Sequence, residues 1–453
     1  MRDRMRELFS GVKTSVSSSG VKIVAIPWGK TPKITATFVI RSGAEKDPLG
    51  KEGLANLTIE ALGFGTTTMG FDVLHEEMEK QGASLEMGSS WDFSYITLSA
   101  PSDSFEFLVP LYKEIFFQPA FPQKEVHEAK NRRKAKLQKL SDIPSWVADQ
   151  LIWNLSLKNS PYGHCYMGNL RSIDNLTCED LKGFHDKYCR DASNVSIIIV
   201  GKEDAFRLLD LGLKIVEGFD DHDNTHFSEK GTFTASCTEE PKIIIIDRPD
   251  LTQSEIRVAF PGISRYDPDY HAFIVFNYIL GGGGFSSILM DILRSKKGLT
   301  YGVKSYFYPL KIRGPMVIST YTPTAYTSKI FEEIIDIISS FPHQKNLEQY
   351  LYESKEFFKG SFPLRFETPE KLLKELVHLE TYQMPLDELL LFLNKISEVK
   401  IDNIMRLADS YLKLEHLKAI IVGRVKDFLK DIEHYWGKSK VAVIDYKDIV
   451  GLL

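Results

Sequence analysis

Cysteine is scarce: Cys165, Cys178, Cys189 and Cys237 are the only four in 453 residues, and none stands in a Cys-x-x-Cys spacing. A chain this long needs no disulfide framework, and these thiols read as ordinary reduced residues. An excess of positive charge is also missing. Lys and Arg number 56 against 61 Asp and Glu, for a net charge of -5. That balance speaks against a nucleic-acid partner. No apolar run reaches the roughly 18 residues that would span a bilayer. The basic start, MRDRMRELFSGVKTSVSSSG, has no apolar core of the kind a secretory signal needs. A cytoplasmic location is expected from the sequence as given, and a periplasmic one if a leader has been removed.

Apolar residues make up 43% of the chain, enough for a sizeable core, and the length predicts two or three domains. Residues 21–27 and 34–42 alternate and are rich in β-branched side chains, so they read as strands. Residues 50–62 and 71–81 read as helices, 83–100 as an extended segment, and 105–117, 122–140 and 146–157 as helices again. Lys130, Arg132, Arg133, Lys134 and Lys136 form a charge run, expected to be a solvated helix face. Thr177 is a candidate N-cap for a helix over 177–189. VSIIIVG at 195–201 reads as a buried strand. Then the order restarts. Residues 242–247 and 255–260 read as strands and 269–280 as a helix that ends at glycines, as 50–62 does. Residues 402–412 mirror 179–189, and LKAIIVG at 417–423 repeats VSIIIVG. Gly201 and Gly423 stand 222 residues apart. A fixed long offset predicts two similarly folded α+β halves, 1–218 and 241–453, joined by a polar, Asp-rich linker over 219–240.

The most distinctive stretch is LGGGGFSSILMDILRSKKGLTYGVKSYF at 280–307. Four glycines, Gly281, Gly282, Gly283 and Gly284, precede Phe285 and a short helix carrying Arg294; Tyr301 follows seven residues later. A pliable loop, a permanent cation and a phenol at this spacing suit a hydrogen-bonding pair for a peptide carbonyl. The bland alternative is a helix cap, a surface Arg and a half-buried Tyr.

This stretch resembles the second-half signature of the pitrilysin, or insulinase-like, zinc peptidases, in which an Arg and a Tyr at this spacing follow a Gly-rich loop. Further matches are SFPLR at 361–365 and the PYG…LT..DL..F…Y block within 160–189. The resemblance extends over essentially the whole chain. It implies two α+β rolls, each an antiparallel sheet with helices on one side, that together make half of a clam shell.

The zinc-binding members of that family carry His-x-x-Glu-His in a context like GLAHFLEHMLFKGT. Two imidazoles four apart hold the metal and the carboxylate activates water. The corresponding string here is GLANLTIEALGFGT. Asn56 stands at the first His, Ile59 at the general base and Glu60 at the second His; the distant ligand position falls near Ala135 or Lys136. No metal is expected in this chain. Other histidines offer less. His222 and His226 lie in the Asp-rich linker; His75 lacks the second His of either zinc motif; His185 and Cys189, four apart, have no further partner. Among bacterial relatives the work is shared between a zinc-bearing chain and a metal-free one that supplies the Arg/Tyr pair. The resemblance therefore implies a heterodimer in which Arg294 and Tyr301 bind substrate and stabilise the transition state. The zinc stays in the homologous partner, and a peptide or unfolded polypeptide is the substrate. The rival reading is a structural or peptide-binding subunit without catalytic contribution.

Overall fold

A computed structural model describes residues 9, 11–219 and 242–449. The linker region with His222 and His226, and Cys237, lies outside the described residues except for Phe219, whose buried ring packs on Phe116 and Phe117.

Twelve strands form two six-stranded sheets. The first contains β1 (Lys13–Val16), β2 (Lys22–Pro27), β3 (Lys33–Ile40), β4 (Ser84–Ser89), β5 (Ser94–Pro101) and β6 (Val195–Gly201), in the order β1-β2-β6-β3-β5-β4. The second contains β7 (Ile243–Asp247), β8 (Gln253–Pro261), β9 (Val303–Phe307), β10 (Pro315–Pro323), β11 (Lys418–Gly423) and β12 (Val441–Asp445), in the order β12-β7-β11-β8-β10-β9. Five positions match strand for strand. In each sheet one parallel pair, β2 with β6 or β7 with β11, sits beside antiparallel ladders. The sixth strand differs: β1 runs antiparallel to β2, whereas β12 runs parallel to β7. The duplication expected from the 222-residue offset thus appears as shared topology. β6 and β11 are covered on both faces, which is why their sequences are continuous apolar runs.

The chain forms two compact units, each assembled from three stretches. One takes the chain up to Ala135, the stretch beginning at Tyr166, and Phe362–Leu390; the other takes Lys136–Cys165, the stretch ending at Ser361, and the chain from Leu391. Five helices matter below: α1 (Leu54–Ala61), α2 (Gln123–Ser141), α3 (Pro144–Leu157), α4 (Tyr270–Asn277) and α5 (Pro369–Thr381). In the first unit α5, from late in the chain, packs on β6 and β3. Its Leu372, Leu376 and Leu379 are buried, Glu380 pairs with Lys22 at 2.6 Å, and the Tyr382 hydroxyl donates to the buried Asp92 at 2.9 Å. In the second unit α3, from early in the chain, packs on β8 and β11. Val147, Ala148 and Ile152 of α3 share a core with Ala259, Ile420 and Val422. The buried Arg257 of β8 donates to Asp149 of α3 at 2.5 Å and to Glu255 at 2.9 Å. Each sheet is therefore covered by a helix from the other half of the sequence.

Local differences from the sequence reading have simple causes. The helix read over 50–62 starts at Leu54, because Gly50 and Gly53 take left-handed φ values of 81° and 90°. The carboxylate of Asp47 accepts from the backbone N–H of Gly53 at 2.7 Å and of Ala55 at 2.8 Å, and so covers the helix start. The extended segment over 83–100 is a hairpin, closed where Ser90 N–H donates to Phe93 O at 2.8 Å. Thr177 does cap its helix, in a reciprocal box with Asp180.

Candidate functional site

α1 carries Asn56, Ile59 and Glu60, the positions that the sequence resemblance leads one to expect in place of metal ligands. Asn56 is partly buried and its side-chain amide donates to Ser89 O at 3.3 Å. Ile59 is completely buried and packs as an ordinary core residue. Glu60 is held in an ion pair by Arg133, which also donates to Gly53 O at 3.4 Å, and Arg132 approaches the same carboxylate at 3.6 Å. Arg133 side-chain exposure is only 8%, so the charge run on α2 is not wholly a solvated face. One of its members turns inward because Glu60 supplies a countercharge. Ala135 and Lys136 lie on the exposed side of α2. These residues do not fit a divalent cation. One position is an amide bound to a backbone carbonyl, one is a hydrocarbon, and the remaining carboxylate is neutralised by a guanidinium. Among the described residues no three His, Cys, Asp or Glu side chains come together as a metal site.

The other histidines have local roles. His75 bonds Gly63 O at 3.2 Å and packs on the Phe71 ring. His185 is buried with Nε2 2.7 Å from Phe116 O, and burial holds its pKa below the usual imidazole value. Burial pushes the Cys189 thiol up and out of reach of ionisation at neutral pH.

In the second unit the Gly-rich stretch is more ordered than a pliable loop. α4 continues into a π-helical turn over Tyr278–Gly282, and a 3-10 turn covers Gly284–Ser286. A Cβ on Gly281 would stand 2.6 Å from the backbone nitrogen of Ser305 on β9, and one on Gly283 would stand 2.8 Å from the Tyr278 ring. Close packing requires both glycines. Gly284 alone has open space around it and a left-handed φ of 57°.

A second π-helical turn, Met290–Lys296, carries Arg294. Three cations sit on this turn or just after it. Lys296 pairs with Asp291 at 2.6 Å and Lys297 pairs with Glu333. Arg294 has no carboxylate partner among the described residues; its guanidinium carbon lies 4.6 Å from the centroid of the Phe285 ring, which is 68% exposed. Tyr301 is 72% exposed. The backbone beside it is fixed by a residue the sequence reading did not single out. Thr300 is buried, and its hydroxyl donates to Tyr321 O at 2.6 Å while accepting from Gly302 N–H at 3.1 Å and from the Thr320 hydroxyl at 3.1 Å. This network anchors the chain on both sides of Tyr301, so an exposed side chain stands on a rigid base. Only its place between Leu299 and Tyr301 marks Thr300 in the sequence, and that signal is weak.

The chain is similar to proteins of one family along most of its length. The description "Insulinase (Peptidase family M16)" matches residues 23–167, and "Peptidase M16 inactive domain" matches residues 175–351. A Helicobacter pylori protein described as "Non-peptidase homolog YmxG" is 25% identical over 401 residues, 86% of this chain and 88% of that protein. A Bacillus subtilis protein described as "Uncharacterized zinc protease YmxG" is 20% identical over 417 residues, 90% and 98% of the two chains. The crystal structure of a peptidase M16 inactive domain from Pseudomonas fluorescens superposes with a TM-score of 0.81 at 25% identity, covering 91% of this chain and 97% of that one. With two M16 descriptions matched in sequence order and the fold of an M16 inactive domain, the chain belongs to the M16, insulinase-like, peptidase family.

Proposed function

We propose that this chain is the metal-free member of a two-chain M16 peptidase. It is inactive alone, and it contributes Arg294 and Tyr301 to peptide-bond hydrolysis at the zinc site of a related subunit bearing His-x-x-Glu-His. One observation carries the reading. Lys296 and Lys297 are neutralised by carboxylates, while Arg294 has none among the described residues and the Tyr301 phenol is exposed. A structural surface would gain nothing by leaving these two groups open. The degenerate α1 positions support inactivity, as does the likeness to the Helicobacter pylori protein described as a non-peptidase homolog.

The metal chemistry belongs to the partner. This chain's task is electrostatic. As the scissile carbonyl becomes tetrahedral, negative charge develops on its oxygen. The Tyr301 O–H donates to that oxygen, and an Arg294 N–H donates beside it from the rigid fork of its guanidinium. The turn over Gly281 to Gly284 borders the bound peptide, with Phe285 beside Arg294. Removing one such donor typically costs about 2.7–4 kcal/mol in the transition state.

The test reconstitutes the chain with a zinc-bearing homologue encoded in the same genome and follows cleavage of unstructured peptides. Tyr301→Phe is expected to lower kcat about a hundredfold with little change in KM, because the hydrogen bond strengthens only as the oxyanion forms. Arg294→Ala should lower kcat and also raise KM. Both variants should keep their stability within about 1 kcal/mol, as exposed substitutions do. The isolated chain should neither cleave peptides nor hold stoichiometric zinc by elemental analysis. If kcat is unchanged in Tyr301→Phe with the complex intact, the chain is a peptide-binding or structural subunit instead.

A further inference from the structure

We infer that Phe285 is a positioning residue for Arg294, its ring holding the guanidinium in place before substrate arrives; this rests on the role proposed above for Arg294.

The contact differs from two other arginine–ring pairs among the described residues. Arg248 lies over Tyr446 but also binds Asp250, and Arg365 lies over Phe362 but also binds Glu375. In those pairs a carboxylate fixes the cation and the ring is secondary. For Arg294 the ring is the contact, at 4.6 Å, and no acid among the described residues competes. Phe285 itself is 68% exposed, so the ring is not there to fill a core. Its backbone is well placed for the task. It sits in the 3-10 turn over Gly284–Ser286, and the Ser287 hydroxyl donates back to Gly284 O at 2.6 Å.

The physical gain is selectivity of restraint. An acidic partner would fix Arg294 equally well but would neutralise it and occupy its donors. A ring face attracts the cation through its quadrupole and leaves the N–H groups at the guanidinium edge open to a carbonyl oxygen. A long side chain with many rotamers is thereby ordered in advance, and less freedom is lost when substrate binds. The surrounding turns serve the same end, since Gly281 and Gly283 are packed too closely for any side chain.

Two measurements test this. In the chain alone, arginine side-chain NMR should show one Nε–H resonance displaced by the ring current and absent in Arg294→Lys. Phe285→Trp should keep the displacement, and Phe285→Leu, which keeps an apolar side chain but no ring face, should abolish it. In the reconstituted pair, Phe285→Leu should lower kcat/KM about two- to fivefold, the scale of an exposed cation–ring contact. Phe285→Trp should restore it, and Phe285→Leu should cost nothing further when Arg294 is already Ala. An undisplaced Arg294 resonance in the parent, or one unmoved by Phe285→Leu, overturns the proposal. So does an equal loss in the Arg294→Ala background, which would make Phe285 a direct substrate contact. A pair indifferent to Arg294→Ala would overturn the catalytic reading of Arg294 instead, and the NMR result would still decide whether the ring holds it.

Discussion

Removing the carboxylate of Glu60 leaves the nearly buried guanidinium of Arg133 with a carbonyl at 3.4 Å as its one hydrogen-bond partner among the described residues. Glu60 is itself 39% exposed, so water screens part of the pair. Glu60→Ala should therefore cost about 1–2 kcal/mol, less than the loss of a fully buried pair. A urea midpoint equal to the parent's would remove the strut role assigned to this pair. Restoring His at position 60 alone should not recruit zinc, because Arg133 remains opposite. Asp47, at the start of the same helix, gives a pH dependence. Burial pushes its pKa up to about 8, opposed by the N–H groups of Ala55 and Gly53 and assisted by Glu45 and Glu52. Between about pH 4 and pH 8 the folded state then binds this proton more tightly than the unfolded chain does. The stability it contributes is present at low pH and is lost as pH rises through that window. The difference in unfolding free energy between the parent and Asp47→Asn should shift against the parent from pH 5 to pH 9. A shift in its favour would show that the helix-start amides dominate over burial. At this scale the place of Asn56, Ile59 and Glu60 on one helix was legible. Arg133 as the answer to Glu60 was not, because a run of five cations does not say which of them turns inward.

Among the elements, those with a clear alternation, a continuous apolar run or a capping residue were legible: β3, β6, β11 and the helix begun by Thr177. The π-helical turns at Tyr278–Gly282 and Met290–Lys296 were not, because one additional residue per turn leaves no sign in an apolar pattern this short. Nor does an amphipathic helix name the sheet it will cover. α3 was readable as a helix over 146–157, but its destination on β8 and β11 depends on Arg257, a buried cation in the middle of β8. Arg257 is almost fully buried and donates to two groups of α3, the Asp149 carboxylate and, at 3.3 Å, Ser145 O; the Tyr306 hydroxyl also donates to Asp149 at 3.3 Å. Asp149→Ala should destabilise by about 2 kcal/mol, since Glu255 remains to offset part of the charge. The expected signature is a lower urea midpoint. No change would mean that the apolar face of α3, and not the ion pair, sets its position.

The whole molecule repeats one sheet order twice, and the duplication explains why a fixed sequence offset could be seen without any knowledge of structure. It does not reveal that each sheet takes a covering helix from the other half. A sequence compared with itself shows which segments correspond, and both halves carry many helices; which sheet each one covers depends on packing between distant segments. This exchange has a consequence for folding. A fragment of residues 1–218 contains every strand of the first sheet but lacks α5, whose Leu372, Leu376 and Leu379 are buried there, together with Glu380, the partner of Lys22. The same fragment carries α3 with Val147, Ala148 and Ile152 exposed for want of β8 and β11. Two apolar surfaces are thus opened at once, each several side chains wide, and burying one Leu is worth about 1.5–3 kcal/mol. That loss is comparable with the whole stability of a domain, roughly 5–15 kcal/mol. The fragment 1–218 alone should therefore aggregate or show no cooperative urea transition by circular dichroism. Co-expression with 219–453 as a separate chain should restore a soluble complex with a cooperative transition. A monomeric 1–218 that unfolds cooperatively would show that the exchanged helices are ornaments on two self-sufficient sheets.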